Sequence, residues 1–92
     1  MTNPRLISFI ARSKRRLEIL KLLKEHELSQ VKLTKLTKLT KMYKGHTSRT
    51  LKELSEKKLV ICTNPDDRSF RAYKITRKGK EILKQTKAII EG

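Results

Sequence analysis

The sequence predicts an α+β fold, mostly helical, and three observations predict it. Apolar residues recur at three- and four-residue spacing through 13–26, 31–42 and 77–92, the period of a helix with one buried face. Between the last two of these, Leu59-Val60-Ile61-Cys62 and Phe70-Arg71-Ala72-Tyr73-Lys74-Ile75 flank the turn formers Asn64-Pro65-Asp66-Asp67, which reads as a two-stranded hairpin. The length of 92 residues suits one domain with a modest core, since a chain of this size buries only about 60–65% of its unfolded surface.

Each element has its own signal. Asn3-Pro4 offers a cap and a first-turn proline to a short helix through Leu6, Ile7, Phe9 and Ile10, an apolar arm over 1–12 with no obvious partner in so small a chain. Ser13 can accept from the free amides of the next helix, 13–26, where Leu17, Leu20 and Leu23 share a face with Ile19 and Leu22 beside them. In 31–42 the triplet Leu-Thr-Lys occurs three times from Leu33 to Lys41. At 100° per residue its leucines span about 120° of a helix, whereas a strand would throw Leu36 away from Leu33 and Leu39, so helix is the better fit. Threonine is a weak helix former, which leaves this helix dependent on packing. Gly45 breaks the pattern, and a helix at about 46–57 follows with Thr47, Leu51 and Leu54 facing the core. Val60, Ile61, Thr63, Phe70, Tyr73 and Ile75 suit the hairpin strands, and Cys62 reads as a small buried strand residue. Thr76 caps the last helix, 77–92, whose Ile82, Thr86, Ile89 and Ile90 share a face with Leu83 adjacent.

The order helix, strand, tight basic turn, strand, helix over 47–79 resembles the second half of a winged helix-turn-helix. The match to regulators of the multiple-antibiotic-resistance (MarR) type runs position by position: Asp67-Arg68 at the wing tip, the apolar Ile75 eight residues after the Asp, then Thr76 and, three further on, Gly79. Leu36, Leu39 and Met42 fill the positions where such regulators pack the two helices of the motif together. The resemblance covers roughly 13–84 and implies a winged helix-turn-helix core over 13–76, with a two-stranded β-wing and terminal helical extensions. Two positions depart from the pattern. The glycine usual between the two helices corresponds to Lys41, and the glycine that often ends the recognition helix corresponds to Lys58. A side chain forced to positive φ costs about 1–2 kcal/mol, so these turns either use another geometry or carry strain.

What the resemblance implies is sequence-directed binding to double-stranded DNA by a transcriptional regulator, with the recognition helix (about 46–57) in the major groove and the wing (about 63–71) at the adjacent minor groove. Charge points the same way: 24 Lys and Arg against 9 Asp and Glu give +15, more than solubility requires, and a polyanion is the natural partner. Opposite the core face, the recognition helix would carry Gly45, His46, Arg49, Lys52, Glu53 and Glu56. Arg49 lies almost directly outward and can donate in a fork to guanine O6 and N7, which makes it the first candidate for base readout. Ser48, at the flank, suits a phosphate. Lys44 and Lys52 add cations, and His46 fits either task or none. Glu53 either restrains Arg49 one turn away or accepts from cytosine N4. Arg71 projects from the hairpin, and by resemblance Arg68 reaches the minor groove, where narrow A·T-rich segments attract Arg; Asp67 orients Arg68 or shapes the turn. Phe70 and Tyr73 read as core residues rather than stacking platforms. Lys32, Lys35, Lys38, Lys41 and Lys44 recur every third residue, a solvated face that attracts phosphate whatever the pose.

The terminal residues Ile7, Ile10, Ile82, Ile89 and Ile90 exceed what one small core readily covers, so a homodimer joined through 77–92 and the arm is expected, with two recognition helices for a palindromic site. No enzyme is expected: two His lie twenty apart without a carboxylate motif, Gly occurs three times, and neither a phosphate loop nor metal-ligand spacing is present. Nor is a cofactor or small-molecule ligand expected. One Cys excludes an intrachain disulfide. No apolar run approaches the ~18–20 residues of a membrane span and the N-terminus lacks the apolar core of a signal peptide, so a cytoplasmic location is expected. The alternatives are an architectural protein that coats DNA with little sequence preference and, against the charge, a winged-helix module that binds protein.

Overall fold

The computed structural model describes residues 3–67 and 69–91. In chain order the elements are α1 (Pro4–Ala11), α2 (Lys14–Glu25), β1 (Val31–Lys32), α3 (Leu33–Thr40), α4 (Lys44–Glu56), β2 (Val60–Cys62), β3 (Ala72–Ile75) and α5 (Arg77–Glu91). The hairpin of β2 and β3 gains a third antiparallel strand, giving the order β1-β3-β2. Val31 pairs with Tyr73 and Lys32 with Ala72, and the Leu33 amide donates to the Arg71 carbonyl at 2.9 Å as α3 begins. Two residues of strand are too short for alternation to show, so the sequence reads 31–42 as helix throughout.

Caps fix the helix starts where the sequence places them. Asn3 Oδ1 accepts from the Leu6 amide (3.2 Å), Pro4 occupies the first turn of α1, and Ser13 Oγ accepts from the Arg16 amide (3.3 Å). The arm is not unpartnered. α1 packs on α5 and α2, and Leu6, Ile7 and Ile10 are buried within the chain, Ile10 completely. Ile82 of α5 is buried with them at 4% exposure, while Ile89 and Ile90, on the last turn, keep 65% and 49%. Three of the five residues expected at a dimer interface therefore complete the monomer core, because the short α1 folds back onto α5 instead of extending away.

The centre of the core is Ile10, Ile19, Leu20, Leu23, Leu36, Leu51, Leu54 and Leu59. Three threonines are buried with them, and each donates its hydroxyl to a carbonyl one turn back in the chain: Thr47 to Tyr43 (3.2 Å), Thr50 to His46 (2.8 Å) and Thr86 to Ile82 (2.7 Å). In α3 the apolar face is graded, with Leu36 buried, Leu33 half-buried and Leu39 44% exposed. Cys62 is half-buried rather than buried. Among the described residues no helix is long and apolar enough to cross a membrane.

Both lysines that replace turn glycines adopt the left-handed conformation, Lys41 at φ 59° and Lys58 at φ 61°. Lys58 closes α4 in a Schellman motif: its amide donates to the Ser55 carbonyl (2.9 Å), and the Leu59 amide reaches back to Leu54 (3.0 Å), while the side chains of Leu54 and Leu59 are both buried. The backbone path is thus the glycine path with a side chain added. Lys41→Gly and Lys58→Gly are each expected to stabilise the protein by about 0.5–1 kcal/mol, the relief of left-handed strain less the extra freedom glycine has in the unfolded chain. Urea unfolding checks this, and midpoints that stay put or fall for both variants would show that neither turn is strained.

Candidate nucleic-acid interface

Burial of Thr47, Thr50, Leu51 and Leu54 fixes the rotation of α4. Its outward face then presents Lys44, Gly45, Ser48, Arg49, Lys52 and Glu56, all exposed. The helix begins at Lys44, so Gly45 lies inside the first turn and the break falls earlier, at the left-handed Lys41. Tyr43 occupies the N-cap position without a side-chain cap. The amides ahead of Thr47 therefore lack a side-chain acceptor from the cap and carry the positive end of the helix dipole. Tyr43 is 79% exposed and meets His46 edge to face, ring centroids 5.8 Å apart, leaving His46 half-buried. Only its exposure marks Tyr43 as a candidate, and the sequence holds no signal for it.

Beside this helix end the chain forms a groove of about 290 Å³ lined by Lys32, Lys44, Ser48, Phe70 and Arg71, with Leu33, Thr34 and Ser69. The start of α3, the start of α4 and the descending side of the wing meet here, the last well separated in sequence from the first two. The groove brings together three of the expected contact residues, Lys44, Ser48 and Arg71, and adds Lys32, which the sequence shows only as one member of a lysine series. Arg49, Lys52 and His46 lie on the same helix but outside the groove lining. Arg68 lies outside the described residues.

Phe70 is not core. It is 61% exposed in the bend before β3, and Lys32 Nζ stands 5.8 Å from its ring centroid, within cation–π range. Tyr73, two residues into the wing's pairing with β1, is buried as expected.

Glu53 does not restrain Arg49, the first of the two roles the sequence offers it. Its carboxylate receives Arg16 of α2 in a fork, Nε at 3.4 Å and Nη2 at 3.2 Å. Arg16 also donates to the Phe9 carbonyl (2.9 Å) and stacks 3.8 Å above the Phe9 ring. That carboxylate is tied to the α1–α2 corner and not to Arg49, so one of the two acids of α4 is neutralised by the scaffold while Glu56 stays exposed. Asp67 shapes the turn, one of its two expected roles: Oδ1 accepts from the amides of Ser69 and Phe70, both at 2.9 Å. Asn64 ties the two sides of the wing, accepting from the Ala72 amide (2.8 Å) and donating to the Phe70 carbonyl (2.7 Å). Among the described residues, the one carboxylate with a resolved shift is remote from this face: Lys24, then Lys80, hold Glu27 below the usual carboxylate range.

No family model matches the chain, and no curated protein matches it. Solved structures do. A single-site mutant of MarR from E. coli superposes with a TM-score of 0.77 at 21% identity, covering 95% of this chain and 66% of that one. The fold is the MarR-type winged helix. A mutant of MepR from S. aureus bound to an oligodeoxyribonucleotide gives 0.75 at 18% identity over 86% of this chain and 58% of its own. The transcriptional regulator BldR from Sulfolobus solfataricus gives 0.73 at 21% over 86% and 55%. The present chain thus spans between 55% and 66% of the length of these three neighbours.

Proposed function

We propose that this protein is a non-enzymatic transcriptional regulator that binds double-stranded DNA, with α4 in the major groove and the wing at the adjacent minor groove. One observation carries the reading: the exposed face of α4 runs directly into the groove where Lys32, Lys44, Ser48 and Arg71 converge, on a fold shared with a chain seen bound to an oligodeoxyribonucleotide. Arg49 reads a base. It is exposed, points away from the core, and has no hydrogen bond or ion pair among the described residues, so its fork is available to guanine O6 and N7. Ser48, Lys44 and Arg71 hold phosphates on either side and fix the register. His46 and Lys52 flank Arg49, and Arg68 at the wing tip enters the minor groove.

The spread of exposed cations over α3, α4 and α5 favours a second reading, an architectural coat held by charge alone. A homodimer now has Ile89 and Ile90 of α5 as its seam, the two terminal residues that remain exposed.

Selection of bound duplexes from a random pool separates these readings. An enriched motif is expected, and Arg49→Ala should cost about 1–3 kcal/mol on it and relax preference at one base position. An unenriched pool, or equal losses for Arg49→Ala on preferred and scrambled DNA, moves the assignment to the coat. A palindromic motif supports the dimer, and a lone half-site supports a monomer.

A further inference from the structure

The far end of α4 carries a second basic surface that the readout face does not use. Arg5, Arg12, Arg16 and Lys57 line an open groove beside Phe9, between α1, the start of α2 and the end of α4. Arg5 and Lys57 also line the next groove, together with Lys58 and Lys78. Lys78 in turn continues into a third with Arg77. Shared lining residues make these one continuous band.

Six of its cations, Arg5, Arg12, Lys57, Lys58, Arg77 and Lys78, are exposed, and none has an ion-pair partner among the described residues. Two acids lie in the band, Glu56 and Glu81. Glu53, which would be a natural counter-ion, is held by Arg16 instead. Lys58 keeps its charge in a left-handed turn where glycine would remove strain, and such an outlier points to a use for the side chain.

We propose that this band holds the sugar-phosphate backbone of a second duplex DNA segment, so that the protein bridges two segments. The proposal rests on the duplex-binding reading above. Position separates the two surfaces: the band starts at Glu56 and Lys57, about 12 Å of helix rise beyond Arg49, and runs onto α1 and α5, whereas the groove of Lys32, Lys44, Ser48 and Arg71 lies at the other end of α4 and shares no lining residue with it. Shape selects the ligand class. The cations are strung along a line through open grooves instead of converging on one point, which suits a polyanion with regularly spaced charge better than a small anion. An acidic membrane surface is a poorer occupant, because an interfacial helix buries an exposed apolar face in lipid, and the apolar residues Leu6, Ile7 and Ile10 of α1 already face the core.

The test uses a short duplex fixed to beads, the intact protein, and a fluorescent duplex of the same sequence added second at constant salt. Retained protein and captured second duplex are read separately. The wild type is expected to capture the second duplex. The double variant Arg5→Ala/Lys57→Ala should cut that capture on the order of 10-fold, from the loss of two phosphate contacts, with as much protein retained as for the charge-matched Lys84→Ala/Lys87→Ala. Those two lysines line a separate groove with Lys24 and Lys80. Gln at positions 5 and 57 preserves the aliphatic stems and should behave as Ala does. Retention of wild-type protein without capture overturns the bridge and leaves duplex binding intact. So does equal loss in both double variants, which would assign capture to diffuse charge or to paired readout faces. If the band variants remain folded but lose the first duplex, the band lies on that same duplex and the bridge is again overturned. Failure of the wild type to be retained on the first duplex sinks duplex binding and the bridge together.

Discussion

Gly79→Ala is expected to destabilise the protein by about 3 kcal/mol, the upper range for forcing atoms into a filled site. A Cβ at this position would stand 2.0 Å from the Leu59 carbonyl oxygen and 2.8 Å from Ile75 Cγ1. The first of these is backbone, and it cannot move freely. Leu59 O accepts from the Thr76 amide at 3.0 Å and lies within reach of the Thr76 hydroxyl, which also stands 2.7 Å from the Lys58 carbonyl. Thr76 Oγ1 accepts in turn from the Gly79 amide at 2.9 Å, capping α5. Thr76 and Gly79 therefore form one device: the threonine pins the start of α5 to the end of α4, and the glycine lets the helix approach that closely. In a domain of this size the loss corresponds to a melting temperature lower by about 10–20 °C. Gly45→Ala is the control. Its Cβ meets nothing within 4 Å, so helix propensity alone acts and stability should rise by about 0.5–1 kcal/mol. A Gly79→Ala melting point within a few degrees of wild type would show that the junction relaxes and that glycine is not required there.

The Thr-then-Gly spacing after Ile75 was legible only through the pattern the chain shares with the family it resembles, because the contact it records joins Thr76 and Gly79 to Lys58 and Leu59 across the whole hairpin. Locality made the caps at Asn3, Ser13 and Thr76 and the buried face of α4 readable, since each is decided within a turn or two, and the resemblance supplied the two lysines in glycine positions. What escaped was decided at longer range. The partner of α1 is α5, at the other end of the sequence, and no period in residues 1–12 announces it. Glu53 meets Arg16 across 37 positions, so the cation one turn away on its own helix, Arg49, was a misleading guide. β1 is two residues long, below the length at which alternation exists. Phe70 has the strand-forming character of its neighbours, but β3 starts only at Ala72, and the bend held by Asn64 and Asp67 turns the ring outward. For the site, helical geometry sufficed to place Arg49 and Ser48 outside, whereas the convergence of Lys32 with Lys44 and Arg71 needed the fold.

Binding to duplex DNA should weaken steeply with salt, and this is the largest effect expected of the protein. Each phosphate neutralised releases condensed counterions, so log affinity falls linearly with log salt by about 0.9 per contact. The exposed face of α4 and the groove beside it offer Lys32, Lys44, Arg49, Lys52 and Arg71 as described cations, with Lys35 and Lys38 exposed on α3. If most of these engage phosphate, affinity should drop on the order of 10³-fold or more between about 50 and 200 mM salt. A double-logarithmic plot for a preferred and a scrambled duplex measures it. The slopes should be similar, because phosphates carry no sequence information, while the preferred line lies above the scrambled one by the contribution of base readout. Lys44→Ala should make both slopes shallower by about one contact. Arg49→Ala should leave both slopes nearly unchanged and bring the two lines together. An affinity that barely changes over this range would remove nucleic acid as the partner, because no surface with this density of unpaired cations can bind a polyanion without displacing its counterions.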